Sequence, residues 1–192
     1  MKCVKCNAQA TIHLENLDVC RGCFQKIIQK RVRKEIRIKK LIEKDDIILL
    51  IDDGSAEAKL SIYLLKETIN LPVKIDVKKK SYMLGEEIKG KYTKIVIPWN
   101  ADKEGEYLLN CFFEKEKPEY LMHFRIKTKT YLKPLVHVMH KEIAEFCKIK
   151  DFKFTEKKYV TAGSDMINKL QKEYPEITFS LVKSAEELKK VI

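Results

Sequence analysis

No apolar run in this sequence approaches the roughly 18 residues that a membrane-spanning helix needs. The longest is Ile47 to Ile51. No apolar stretch stands behind Met1-Lys2-Cys3 either, so a secretory leader is not expected and a cytoplasmic protein with no membrane partner is. Internal repeats and low-complexity linkers are missing, which excludes solenoids and extended disordered arms. Negative charge is also short: 28 acidic residues face 39 basic ones, a net charge of +11. That excess suits an anionic partner, nucleic acid being the commonest, although a generally lysine-rich surface would give the same balance. What remains is 192 residues, 45% of them hydrophobic. This is enough for one cored domain with a small appendage.

The six cysteines are expected in a reducing compartment, where metal ligation is commoner than disulfide formation. Cys3-Val-Lys-Cys6 and Cys20-Arg-Gly-Cys23 are two-residue knuckles, each of which turns two sulfurs toward one point. Four thiolates close a tetrahedral site and can staple a segment too short for its own core. Zinc is the expected ion, with iron or a redox disulfide as alternatives. His13 lies between the pairs as a bystander. Such a ribbon serves either as a folding staple or as a contact to RNA.

Over residues 24 to 44, Phe24, Ile28, Val32 and Ile36 recur at i+4 spacing, joined by Ile27 and Ile42, which predicts a helix. Lys30, Arg31, Arg33, Lys34, Arg37 and Lys40 stand out among its polar positions, with only Glu35 and Glu43 against them. A solvated helix face ordinarily mixes its signs better. A phosphate-tracking face is preferred to a membrane-surface helix, which would need aromatic anchors beyond Phe24.

Residues 45 to 59 then read as strand, tight loop and helix start. Helices are predicted from about Ala56 to Thr68, ended by Asn70-Leu71-Pro72, and from about Asp102 to Glu114. Strands are predicted at Val73 to Val77 and Ile95 to Ile97, with a polar loop between. This rhythm indicates an α/β fold with a parallel sheet and flanking helices. Ligands of such sheets lie beyond the strand C-termini, where residues 52 to 57 and 98 to 104 would meet. Phosphates favour that junction because helix amides point outward there, yet the loop carries Asp52, Asp53 and Glu57. Further on, Phe124 to Thr130 reads as extended and Lys141 to Lys148 as helical. A helix over Gly163 to Tyr174 is expected, with Met166, Leu170 and Tyr174 on one face. A last helix is expected to open at Ser184-Ala-Glu-Glu187, a capping-box pattern. Cys111 and Cys147 read as small buried hydrophobes, and His137 and His140 as loop or core residues.

The order of knuckles, basic helix, apolar strand and loop resembles the tRNA 2-thiolation proteins of the TtuA and cytosolic thiouridylase type. Asn100-Ala-Asp102-Lys103, Lys133-Pro134-Leu135, Lys141-Glu142-Ile143, Phe154-Thr155-Glu156 and Ser184 to Leu188 extend the likeness over nearly the whole chain. It implies an adenine nucleotide alpha hydrolase-like, PP-loop type domain over residues 45–192, preceded by a zinc ribbon over 1–23 and a basic linker helix over 24–44. Active members adenylate a uridine carbonyl with ATP and deliver sulfur, usually with an iron–sulfur cluster on three cysteines. Their loop reads Ser-Gly-Gly-x-Asp-Ser, whereas the aligned residues here are Asp52, Asp53, Gly54, Ser55, Ala56 and Glu57. Residues 74 to 98 contain no cysteine, and Lys157 stands at the late cysteine position. The resemblance therefore implies a pseudoenzyme close to the non-catalytic subunit 2, with zinc as its cofactor and no catalytic residue. Its expected partners are tRNA and a catalytic thiolase paralogue. The alternatives are an active sulfurtransferase or adenylating enzyme with an unusual loop, and a stand-alone zinc-containing RNA-binding protein.

Overall fold

The computed structural model describes residues 1–14, 17–68, 73–156 and 161–192. Two short strands, β1 (Ile12–Leu14) and β2 (Leu17–Val19), pair antiparallel with Ile12 opposite Val19. Helix α1 (Arg21–Ile38) follows directly, with Cys20 as its N-cap. The second knuckle is thus the helix's first turn, and the hairpin is continuous with it.

The main sheet contains β3 (Ile47–Asp52), β4 (Lys74–Lys79), β5 (Lys94–Val96), β6 (Phe124–Ile126) and β7 (Lys129–Leu132), in the order β4-β3-β5-β7-β6. The first four in that order run parallel, and β6 closes one edge antiparallel to β7. This is the α/β architecture expected. β3 is central and covered on both faces, which is why it is continuously apolar. Its Ile48 and Leu50 meet one cluster of side chains and Leu49 and Ile51 another. β4 is an edge strand with Lys74, Lys78 and Lys79 exposed, charges that discourage pairing with another chain.

The first cluster carries Phe24, Ile28, Val32 and Ile36 of α1, Leu60 of α2 (Ala56–Tyr63) and Phe146 of α4 (His140–Ile149). It runs without interruption to Cys3, Ile12 and Val19 of the N-terminal hairpin. Among the described residues, the connection between β4 and β5 forms no helix on the opposite face. Tyr82, Leu84, Ile88 and Tyr92 of the polar connection lie on it instead, and the Tyr131 hydroxyl accepts from Ile88 N at 2.8 Å and donates to Glu86 O at 3.0 Å. A third cluster joins α3 (Ala101–Glu114) to α6 (Ile177–Lys189), while α5 (Ala162–Glu173) rests on α3. Gly163 allows that approach: a Cβ there would fall 2.7 Å from Asn110 Oδ1 and 2.9 Å from Glu106 O.

Several expected boundaries move. The basic helix stops at Ile38, not near residue 44, because Lys40 takes a left-handed backbone (φ 48°) and turns the chain toward β3. The stretch Phe124 to Thr130 is two strands folded on a turn at Lys127 (φ 52°). α5 buries Gly163 and Ile167, whereas Met166 and Tyr174 are exposed. The last helix begins at Ile177, not Ser184. Thr178, Val182 and Ala185 form its buried stripe, and Ser184 is an interior residue whose hydroxyl donates to Ser180 O at 3.0 Å. The expected stop at Asn70-Leu71-Pro72 lies outside the described residues.

Candidate functional site

The four knuckle cysteines converge. Their sulfurs all lie within 4.8 Å of one another, and Cys6 Sγ and Cys20 Sγ are 3.6 Å apart. A tetrahedral ion with Zn–S bonds near 2.3 Å needs sulfur–sulfur edges of roughly 3.8 Å. A disulfide would need about 2.05 Å. All six cysteines are free thiols. Backbone amides already prepare two of the sulfurs: Lys5 N donates to Cys3 Sγ and Cys23 N to Cys20 Sγ, each at 3.5 Å. Such hydrogen bonding, that from Cys20 foremost, lowers the Cys3 thiol to about 6, while contact with Cys6 pushes Cys23 up to about 12. Crowded thiols cannot all ionise unless a cation gathers them. The donor set therefore suits a metal ion, and the geometry suits zinc. His13 points elsewhere, 2.6 Å from Asp18 Oδ1.

At the end of β3 the loop is arranged around its own anions. Asp52 Oδ1 accepts from Gly54 N at 3.0 Å, and both its oxygens accept from Lys59 Nζ, at 3.1 and 2.8 Å. Asp53 Oδ1 accepts from Ser55 N at 3.1 Å and from the Ser55 hydroxyl. Ser55 caps α2, its Oγ accepting from Ala58 N at 3.3 Å. Gly54 holds φ 83°, the left-handed region glycine favours, and its carbonyl accepts from Thr155 N at 2.9 Å. The amides of Gly54, Ser55 and Ala58 are thus occupied by Asp52, Asp53 and Ser55 side chains. A phosphate seated there would have to displace them.

Glu57 is buried in the first turn of α2 and reaches across to the loop after β5. Its Oε1 accepts from Asn100 Nδ2 at 2.6 Å and lies 3.1 Å from His140 Nδ1, with Lys103 Nζ at 3.7 Å. Burial alone would raise this carboxyl. The His140 hydrogen bond and the Lys103 charge outweigh it and bring Glu57 down to about 2, while the same bond raises His140. Asp102 is equally committed: it accepts from His140 N at 2.6 Å and from Gln171 Nε2 at 3.2 Å. Ala56 O receives the Cys147 thiol at 3.6 Å from below. The loop, α3, α4 and α5 are tied into one polar network.

Two buried groups escaped sequence reasoning. Lys133 is fully enclosed, its Nζ donating to Glu104 Oε2 at 2.7 Å and Tyr120 O at 2.6 Å and lying 4.5 Å from the centre of the Trp99 ring. Glu35, on the inner side of α1, lies 2.9 Å from His123 Nε2 and 3.2 Å from His137 Nε2. Burial would raise it too, but the two imidazoles bring it to about 2. Glu35, His137 and Glu186 could in principle ligate an ion. Glu186, however, pairs with Lys39 at 2.7 Å. Lys133 stands in the sequence only as part of the Lys133-Pro134-Leu135 likeness and Glu35 only as a lone acid on the basic helix, and neither context marks the residue as buried.

The six basic positions on or after α1 separate. Lys30, Arg33, Lys34 and Arg37 are exposed and, with Lys26, form one stripe of the helix. Arg31 turns inward, donating to both oxygens of Glu142 at 2.7 and 2.9 Å and stacking over Phe179. Lys40 stands past the helix end. Cys111 and Cys147 are both buried, as expected, and Lys157 lies outside the described residues.

No protein-family profile and no curated protein matches the chain. Among solved structures it is similar to the U34-tRNA thiolase NcsA from Methanococcus maripaludis, determined with its [4Fe-4S] cluster. The TM-score is 0.76 at 17% identity, covering all of this chain and 88% of that one. The chain has a tRNA-thiolase-like fold. In the α/β part Cys111 and Cys147 are the only thiols, and neither joins a metal-binding group among the described residues. No helix is long and apolar enough to cross a membrane among the described residues.

Proposed function

We propose that this chain is a non-catalytic subunit of a tRNA wobble-uridine 2-thiolation system. It contributes zinc-stapled structure and positive charge, and docks on a catalytic thiolase paralogue. The single observation that carries this reading is the internal filling of the β3–α2 loop by Asp52 and Asp53. In a thiolase-like fold this is the seat that would receive ATP phosphates. Replacing a mobile anion by two covalently attached ones keeps the amides satisfied and the fold intact, at the expense of ligand binding. The absence of a three-cysteine set in the α/β part agrees with that reading.

In this account Cys3, Cys6, Cys20 and Cys23 hold zinc, and the stripe Lys26, Lys30, Arg33, Lys34 and Arg37 meets the RNA backbone. Purification of the tagged chain should recover a partner with an intact nucleotide loop, and the pair should bind tRNA with an affinity that falls steeply with salt. Removing Lys30 and Arg37 together should lower the salt slope by about two, one for each phosphate no longer neutralised. Salt-independent binding, or no tRNA binding with the partner present, would sink the RNA part of the proposal.

A further inference from the structure

A cavity of about 370 Å³ opens beside β5 and β7, lined by Lys94 at the start of β5 and by Thr130 and Leu132 of β7, away from the filled loop. Five lysines from three separate segments line it: Lys39 and Lys40 after α1, Lys94 at the start of β5, and Lys189 and Lys190 at the end of α6. Glu186 is the one carboxylate among its lining residues, and Lys39 already holds it at 2.7 Å. Lys190 pairs with Glu187 at 2.7 Å, and Lys94 has only a distant partner, Asp46 at 3.9 Å. The ammonium groups of Lys40 and Lys189 make no hydrogen bond or ion pair among the described residues. Lysines near helix C-termini ordinarily offset the negative end of the helix dipole. That accounts for Lys39, Lys189 and Lys190 but not for Lys94, which stands on the sheet, nor for converging five like charges on one hollow.

The floor has a different character. Leu41, Met122 and Leu132 are buried apolar side chains, Thr130 adds a hydroxyl, and the His123 ring forms part of the wall. The His123 ring is fixed from both sides, Nδ1 accepting from Lys133 N at 3.0 Å and Nε2 facing Glu35 at 2.9 Å. An apolar floor under a cationic rim is the pattern of a site for a small molecule with a flat apolar part and a phosphate tail. The volume lies in the range of such sites, roughly 300–1,000 Å³.

The geometry points to a second ligand site in this cavity, which takes a nucleoside phosphate, its phosphates on Lys40, Lys94 and Lys189 and its base on the Leu41–Met122–Leu132 floor. It is independent of the thiolation proposal, since it uses neither the loop nor the α1 stripe. A long RNA would meet the exposed stripe first, whereas a hollow this size admits one nucleotide unit.

The test is titration of the zinc-loaded full chain with ADP, with adenosine and pyrophosphate as part-ligands, followed by calorimetry and by the His123 ring nitrogen resonances. ADP should bind and shift His123, pyrophosphate should bind more weakly, and adenosine should bind weakest. Lys189→Gln and Lys94→Ala should each weaken ADP at least tenfold, and so should Lys40→Glu, a surface change with little effect on folding. Lys30→Ala should leave ADP binding unchanged. The proposal is overturned if ADP does not bind at millimolar concentration. It is equally overturned if binding survives the lysine changes but is lost on Gly54→Ala, or if only RNA, not ADP, responds to Lys189→Gln.

Discussion

Glu57 shows how a single buried carboxylate ties separate elements together. A carboxylate in the first turn of a helix is favoured by the dipole, and here it is also buried and bonded to Asn100 and His140. Its folded value of about 2 lies below the ordinary 4.5, so it contributes stability that is fully present above the ordinary value and lost as pH falls through 2. The contribution is on the order of 3 kcal/mol. Acid unfolding curves of wild type and Glu57→Gln should therefore converge as pH falls toward 2, with the variant less stable at pH 6. Glu35 sets the other part of the acid response and remains in the variant. A wild type and a variant that differ equally at pH 6 and pH 2 would contradict the assignment.

Arg31 makes the same point from the opposite sign. The basic residues around it, Lys30, Arg33 and Lys34, are exposed, but its guanidinium meets the nearly buried Glu142 in a two-pronged ion pair and is about one-third exposed itself. Arg31→Ala should lower the stability by about 1–3 kcal/mol, discounted for solvent screening from the cost of breaking a fully buried pair. Lys30→Ala should change it by less than about 0.5 kcal/mol. Denaturant melts of the two variants separate a structural from an exposed arginine or lysine.

Among the elements, the N-terminal knuckles and α1 were legible because their signals are local, whereas the β1–β2 hairpin between the knuckles was not. Knuckle spacing brings sulfurs together without help from the rest of the chain, and i+4 spacing of Phe24, Ile28, Val32 and Ile36 survives burial unchanged. The end of α1 was not legible, since basic residues continue past it and only the backbone turn at Lys40 stops it. α6 misled for a related reason: Ser184 and Glu187 imitate a helix start, yet the buried stripe of Thr178, Val182 and Ala185 runs through them. The cover of the second sheet face by residues 80–93 is a tertiary fact. Its tyrosines and isoleucine are spaced for no regular element.

Because Cys20 both caps α1 and stands among the four thiols, the metal and the helix should fail together. Stoichiometric metal analysis should give one zinc per chain. Removing it with a chelator should lower the melting temperature and the helix content near residue 21, as read by amide exchange. Cys20→Ala should bind zinc poorly and behave like the stripped protein, since the hairpin shares the main core through Cys3, Ile12 and Val19. Full zinc retention by Cys20→Ala, or an unchanged melt after chelation, would rule out the stapling role.

For the whole molecule, the α/β class was legible from the alternation of apolar strands and helical patterns, and the hostility of the loop to phosphate from Asp52 and Asp53. The sequence could not say where those carboxylates point. The structure turns them onto the amides of Gly54 and Ser55, so the loop is occupied and not merely repulsive. The most direct test is calorimetric titration of ATP with magnesium into the zinc-loaded full chain carrying Lys94→Ala and Lys189→Ala, which silence the lysine cavity. The account predicts no binding heat up to about 1 mM, an affinity weaker than about −4 kcal/mol. Micromolar binding that survives the two lysine changes and disappears on Gly54→Ala would contradict it.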